Sequence, residues 1–132
     1  MSVQPLGKVV MVCDDVVADP VSHKASILNV WEVVRVPEDE CFPYTLPKIV
    51  LVAMLRDGQG SVTFQAVIRR AGSGESIRQS AGHPLRFDHP RQTRLLVLRM
   101  PNVTFPVPGE YLVELYCDGL FIDDQSITLL PT

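Results

Sequence analysis

Val62-Thr63-Phe64-Gln65-Ala66-Val67-Ile68-Arg69 places apolar side chains at its even positions and mostly polar ones at its odd positions. A period of two is that of a β-strand with one buried and one wet face. The alternation returns further along, where Tyr111, Val113, Leu115 and Cys117 interleave with Leu112, Glu114 and Tyr116. In the other direction, Ile49-Val50-Leu51-Val52-Ala53-Met54-Leu55 is apolar at every position and reads as a central strand covered on both faces. Ile27-Leu28-Asn29-Val30-Trp31-Glu32-Val33-Val34 is rich in β-branched and aromatic residues, again strand-like. No apolar pattern of helical period is sustained over three turns, so the fold class is all-β.

The punctuation between these runs is legible as well. Asp57-Gly58 and Asp118-Gly119 are hairpin signals, because the tight hairpin turns need positive φ and Asp-Gly adopts it readily. Gly72-Ser73-Gly74 reads as a third hairpin loop, and Pro108-Gly109 as a turn. The break in phase at Asp123-Asp124 predicts a bulge or an edge. Eight strands are expected, at about 8–13, 25–35, 48–56, 61–70, 75–80, 92–100, 109–117 and 120–129. Amphipathic strands with uneven loops favour an antiparallel two-layer β-sandwich over a barrel. Tyr111, just after the Pro108-Gly109 turn, looks like the tyrosine corner of immunoglobulin-like sandwiches, which makes the expected architecture immunoglobulin-like.

A chain of 132 residues with 46% apolar content forms one domain, 1–132, with enough core to need neither disulfide nor metal. Residues 1–7 are short and polar, so no signal peptide is expected, and no run approaches the length of a membrane helix. Cys13, Cys41 and Cys117 are odd in number and lack metal spacing. They read as free thiols, which places the protein in the cytoplasm.

The motif set Cys13-Asp14, Lys24 to Val30, Phe42-Pro43, Leu55-Arg56, and Phe105 to Tyr111 through Asp118-Gly119 resembles a family of small bacterial proteins known only as a domain of unknown function. The resemblance implies a bacterial origin and a stand-alone β-domain. It offers no catalytic residue to carry over.

His83 and His89, six apart, would stand about 20 Å apart along a strand, and the residues that follow His23, His83 and His89 suggest loops. Asp14, Asp15 and Asp19 in one loop, with Asp118, Asp123 and Asp124 near the last hairpin, could gather hard oxygens for calcium, so a calcium- or small-ligand-binding sandwich is the alternative reading. No nucleophile elbow or phosphate loop occurs, and no catalytic residue or cofactor is assigned. Residues 69–99 hold seven arginines against two carboxylates, net +5, while the rest holds five cations against thirteen carboxylates, net −8. An acidic chain with one aromatic in its basic span argues against nucleic acid. Arg69, Arg78, Arg86, Arg94 and Arg99 are the interface candidates, paired with acidic strands of the same or a sister molecule. The leading expectation is therefore a non-catalytic interaction or structural module that meets proteins, including copies of itself, and no membrane.

Overall fold

The computed structural model describes residue 3 and residues 5–132. Ten strands are formed: β1 (Leu6–Ala18), β2 (Ala25–Val30), β3 (Val33–Val36), β4 (Tyr44–Arg56), β5 (Gly60–Arg70), β6 (Ser76–Gln79), β7 (His83–Phe87), β8 (Arg94–Phe105), β9 (Gly109–Cys117) and β10 (Leu120–Pro131). They build a four-stranded sheet of order β2-β1-β4-β8 and a six-stranded sheet of order β3-β10-β9-β5-β6, with β7 also on β5. The alternation that marked β5 and β9 turns Phe64, Ala66 and Ile68, with Val113, Leu115 and Cys117, into a core shared with Ile49, Leu51, Ala53 and Leu55 of β4. All are nearly solvent-free. At about 25 cal/mol per Å² of apolar surface removed from water, this shared core is the main favourable term in the fold.

Two corrections turn the eight expected strands into ten. The run 25–35 is two strands in two sheets: β2 pairs β1, and β3 pairs β10 in parallel. The six-stranded sheet is consequently mixed and not purely antiparallel. A run rich in β-branched and aromatic residues carries no clear mark of a change of sheet, and the crossing at residues 31–32 is held by hydrogen bonds. The Trp31 amide donates to the Val12 carbonyl at 2.7 Å, and the Thr128 amide donates to the Glu32 carbonyl at 3.0 Å. The second correction is β7. His83-Pro84 suggested a loop, yet His83 opens a strand on β5, opposite Phe64. Pro84 is tolerated there because an edge strand has a free side on which its missing N–H is not needed.

The turns divide the same way. Asp118 (φ 49°) and Gly119 (φ 81°) close the β9–β10 hairpin, with Cys117 opposite Leu120. Gly72-Ser73-Gly74 joins the antiparallel pair β5–β6. Asp57-Gly58, by contrast, makes no hairpin, because it carries the chain from β4 in one sheet to β5 in the other. A Cβ on Gly58 would lie 2.8 Å from the Phe87 ring, so the residue is needed for a close approach between layers. The register of β10 shifts between Phe121 and Asp123, the expected bulge. Tyr111, 1% exposed, donates its hydroxyl to the Val107 carbonyl at 2.6 Å and packs edge-to-face on Phe105 at 4.8 Å.

Candidate interaction face

β4 runs between β1 and β8, and its apolar residues serve both faces. Ile49, Leu51, Ala53 and Leu55 point into the shared core, so Val50, Val52 and Met54 point away from it. Val50 and Val52 join Cys13 and Val16 in a second, separate apolar cluster, with Ile27 and Val97 packed against it. Across the sheet the rows run Cys13–Val50–Arg99, Met11–Val52–Val97 and Val9–Met54–Leu95, with Val30 beside Cys13. Val50 and Cys13 are fully buried by their neighbours, whereas Met54 is 42%, Leu95 38% and Val30 54% exposed. The open part of this face is on the order of 300 Å² of apolar surface, a patch size that is often functional on a single chain. Among the described residues, no third layer lies over Met54 and Leu95.

Charges frame the patch. Asp15 accepts from Lys48 Nζ at 2.6 Å and from Arg99 Nε at 3.2 Å, and Arg99 Nη2 also donates to the Val16 carbonyl. The Lys48 hydrogen bond first, then the Val16 amide and Arg99, hold the Asp15 carboxyl down at about 2. At the opposite end Arg56 pairs with Asp57 at 3.2 Å. Exposed pairs of this kind contribute about 0–1 kcal/mol each, so they orient a contact more than they strengthen it. Cys13 lies beneath the rim, and burial, then the Asp15 and Asp14 charges, push its thiol pKa up. Cys13 is itself fully buried and packs in this face as a small apolar side chain.

The structure spreads the five interface arginines over several surfaces. Arg99 belongs to the rim just described. Arg69 and Arg86 alternate with core residues on the six-stranded sheet, where Arg69 pairs with Glu114 at 2.7 Å and Arg86 with Asp88 at 3.2 Å. Arg78 and Arg94 reach across the open side between the two sheets. Arg78 Nη1 donates to the Asn102 carbonyl at 3.3 Å, and Arg94 Nη1 to the Arg86 carbonyl at 2.5 Å. Three of the five thus pair with acids of their own chain, and two tie β6 and β7 to β8 by backbone carbonyls.

The six aspartates are likewise not brought together. Asp14 accepts from Trp31 Nε1 at 2.6 Å and Asn29 Nδ2 at 2.8 Å. Asp19 caps its own turn through the Val21 and Ser22 amides, which hold its pKa down. Asp118 accepts from the Thr63 amide at 2.9 Å, near the start of β5 and toward the other end of the sheets from Asp15 and Lys48. The Asp123 carboxylate accepts from the Asp124 amide, and burial, then Asp123 and Glu114, push the Asp124 pKa up. Among the described residues no three His, Cys, Asp or Glu side chains converge as a metal site. His23, His83 and His89 are exposed. Ile49 to Leu55 reads in sequence as covered on both faces, yet Met54 on its outer side is 42% exposed.

Residues 8–129 match the model of a family described as "Family of unknown function (DUF6941)". No curated protein matches. Among solved structures, the Pseudomonas fluorescens alkylpurine DNA glycosylase AlkC, bound to DNA containing an abasic site analog, aligns over 91% of this chain and 30% of its own, at 11% identity and a TM-score of 0.49. A β-glucosidase from Listeria innocua in complex with isofagomine aligns over 96% of this chain and 16% of its own, at 8% identity and a TM-score of 0.48. The chain therefore spans less than a third of either protein, and neither likeness bears on its activity. No helix is long and apolar enough to cross a membrane among the described residues.

Proposed function

The chain belongs to DUF6941, a family of unknown function, and for this member we propose a non-catalytic, immunoglobulin-like β-sandwich that acts by pairing with a second copy of itself. The observation that carries the reading is the apolar outer face of the β2-β1-β4-β8 sheet, open at Val30, Met54 and Leu95. The immunoglobulin-like assignment is supported by the parallel β3–β10 pair, by consecutive strands that alternate between sheets at β4–β5, and by the Tyr111 hydroxyl on the Val107 carbonyl. The buried, free Cys13 and Cys117 support a cytoplasmic setting.

A second copy suits the face for two reasons. A two-fold contact is made by one patch on both partners, and a flat apolar patch is complementary to itself. Both rims, Asp15–Lys48–Arg99 and Arg56–Asp57, carry charges of both signs, so the related copy meets no edge of uniform like charge. Its area sets the strength. A stable interface covers about 800 Å² per partner, and on the order of 300 Å² of apolar surface plus a rim falls at the weak end. Mass measured by size-exclusion with light scattering is expected to rise from monomer toward dimer between about 5 and 200 µM, as mass action requires. The dimer should persist from about 0.05 to 0.5 M salt, because apolar contact is not screened. Leu95→Glu should hold the chain as a folded monomer. A wild-type monomer across the whole range would overturn the proposal.

A further inference from the structure

On the opposite side of the molecule, the outer face of the six-stranded sheet contains a cleft of about 290 Å³. Gln65, Val67 and Arg69 of β5 form its floor, Ser76 and Gln79 of β6 one wall, and Tyr116 of β9 the other. Small-ligand pockets run from about 300 to 1,000 Å³, so this one suits a single ring-sized molecule.

Its chemistry is mixed and balanced. The one cation, Arg69, is held by Glu114 at 2.7 Å, and the Tyr116 hydroxyl donates to the same carboxylate oxygen at 3.0 Å. Glu114 is only 13% exposed, so this pair is a fixed part of the cleft and not a loose surface contact. An anion entering here would meet a guanidinium already neutralised, and a cation a carboxylate already bonded. What is left is a set of neutral donors and acceptors. The Gln65 amide nitrogen donates to the Ser80 carbonyl at 3.3 Å, which leaves its oxygen as an acceptor. The Gln79 carboxamide and Ser76 hydroxyl each both donate and accept. The third component is apolar: Val67 is 7% exposed at the floor, and the Tyr116 ring stands in an edge-to-face pair with Phe121 at 5.8 Å.

We propose that this cleft binds a neutral polyol of one-ring size, a pyranose unit. Vicinal hydroxyls need donors and acceptors side by side, which carboxamides and a hydroxyl supply without net charge. The C–H face of a pyranose needs an apolar wall, which Tyr116 supplies. Arg69 and Tyr116 are restrained by Glu114 before any ligand arrives, so little ordering is required on binding. The openness of the cleft to water limits affinity to the millimolar range, about −4 kcal/mol at 1 mM.

The test is an amide-shift titration of the full, ¹⁵N-labelled chain with methyl pyranosides of glucose, galactose, mannose and N-acetylglucosamine, and separately with sodium acetate. At least one pyranoside should shift the Gln65, Val67, Gln79 and Gly119 amides along saturating curves, with Kd of about 1–10 mM. Acetate should not saturate them. Gln79→Ala, exposed on an edge strand and expected to leave the remaining spectrum unchanged, should weaken the same sugar about tenfold. No saturation by any pyranoside to about 50 mM, saturation by acetate at those amides, or an unchanged Kd in Gln79→Ala would each overturn the proposal.

Discussion

Gln125 is the residue whose removal tests the architecture most directly. It lies on β10, in the six-stranded sheet, yet its side chain enters the β1–β2 ladder of the other sheet. Its Oε1 accepts from the Val12 amide at 2.6 Å, and its Nε2 donates to the Trp31 carbonyl at 2.6 Å. The Trp31 amide meanwhile donates to the Val12 carbonyl at 2.7 Å, as in a regular antiparallel pair. The carboxamide therefore stands where the second bond of that pair would be, and holds the ladder open where the chain leaves for β3. Val12 is fully buried, so its N–H has no recourse to water. Two hydrogen bonds at about 1 kcal/mol each put the loss in Gln125→Ala at about 2 kcal/mol. For a chain of this size that is roughly 6–10 °C in melting temperature. Gln125→Glu is the sharper variant, since it keeps an acceptor for Val12 but sets a carboxylate oxygen against the Trp31 carbonyl. It should lose at least as much as the alanine variant at pH 7. Urea unfolding followed by fluorescence gives both values, and the slope with denaturant should be unchanged. If both variants fall within about 0.5 kcal/mol of wild type, the range of ordinary surface substitutions, the carboxamide is not a ladder element and the reasoning fails.

Two further outcomes follow from the titrating groups. Asp15 sits at about 2 in the folded chain against an ordinary 3.8, so its contribution to stability is present above about 3.8 and is lost as pH falls toward 2. The stability difference between wild type and Asp15→Asn, measured by urea unfolding, should therefore shrink across that window, and a difference independent of pH would refute the ion-pair assignment. Of the three thiols, Cys41 is exposed while Cys13 and Cys117 are buried, with burial and Asp118 pushing Cys117 up to about 11. A thiol-reactive dye at pH 8 should modify one cysteine rapidly and the other two only after unfolding, and two rapid sites would contradict the packing of the core.

Most of the strands were legible because the period of two is a local property of the chain, whereas His83–Phe87, broken by Pro84, was not. The pattern of β5 and β9, the Asp118-Gly119 hairpin, the bulge before Asp123 and the Tyr111 corner all depend on side chains within a few residues of one another. Such features are written in the sequence itself. Partnership between strands is not. The run 25–35 reads as one strand, and contacts with β1 and β10, among them the Gln125 carboxamide and the Thr128–Glu32 bond, divide it between two sheets. Asp57-Gly58 has hairpin chemistry, but its Phe87 neighbour, 29 positions on, belongs to the layer it must cross into.

The candidate sites divide on the same principle. The arginines of 69–99 form one segment in sequence, while a strand sends alternate residues to opposite faces and β8 lies in the other sheet from β5, β6 and β7. Arg69 and Arg99 therefore ended on opposite sides of the molecule, paired with Glu114 and Asp15. Composition and the period-two pattern alone determined an all-β chain with a core of its own. Tertiary structure decided which apolar residues of β4 were left uncovered and which polar ones of β5, β6 and β9 share a cleft, because both depend on strand order, and strand order is set by contacts between residues far apart in the chain.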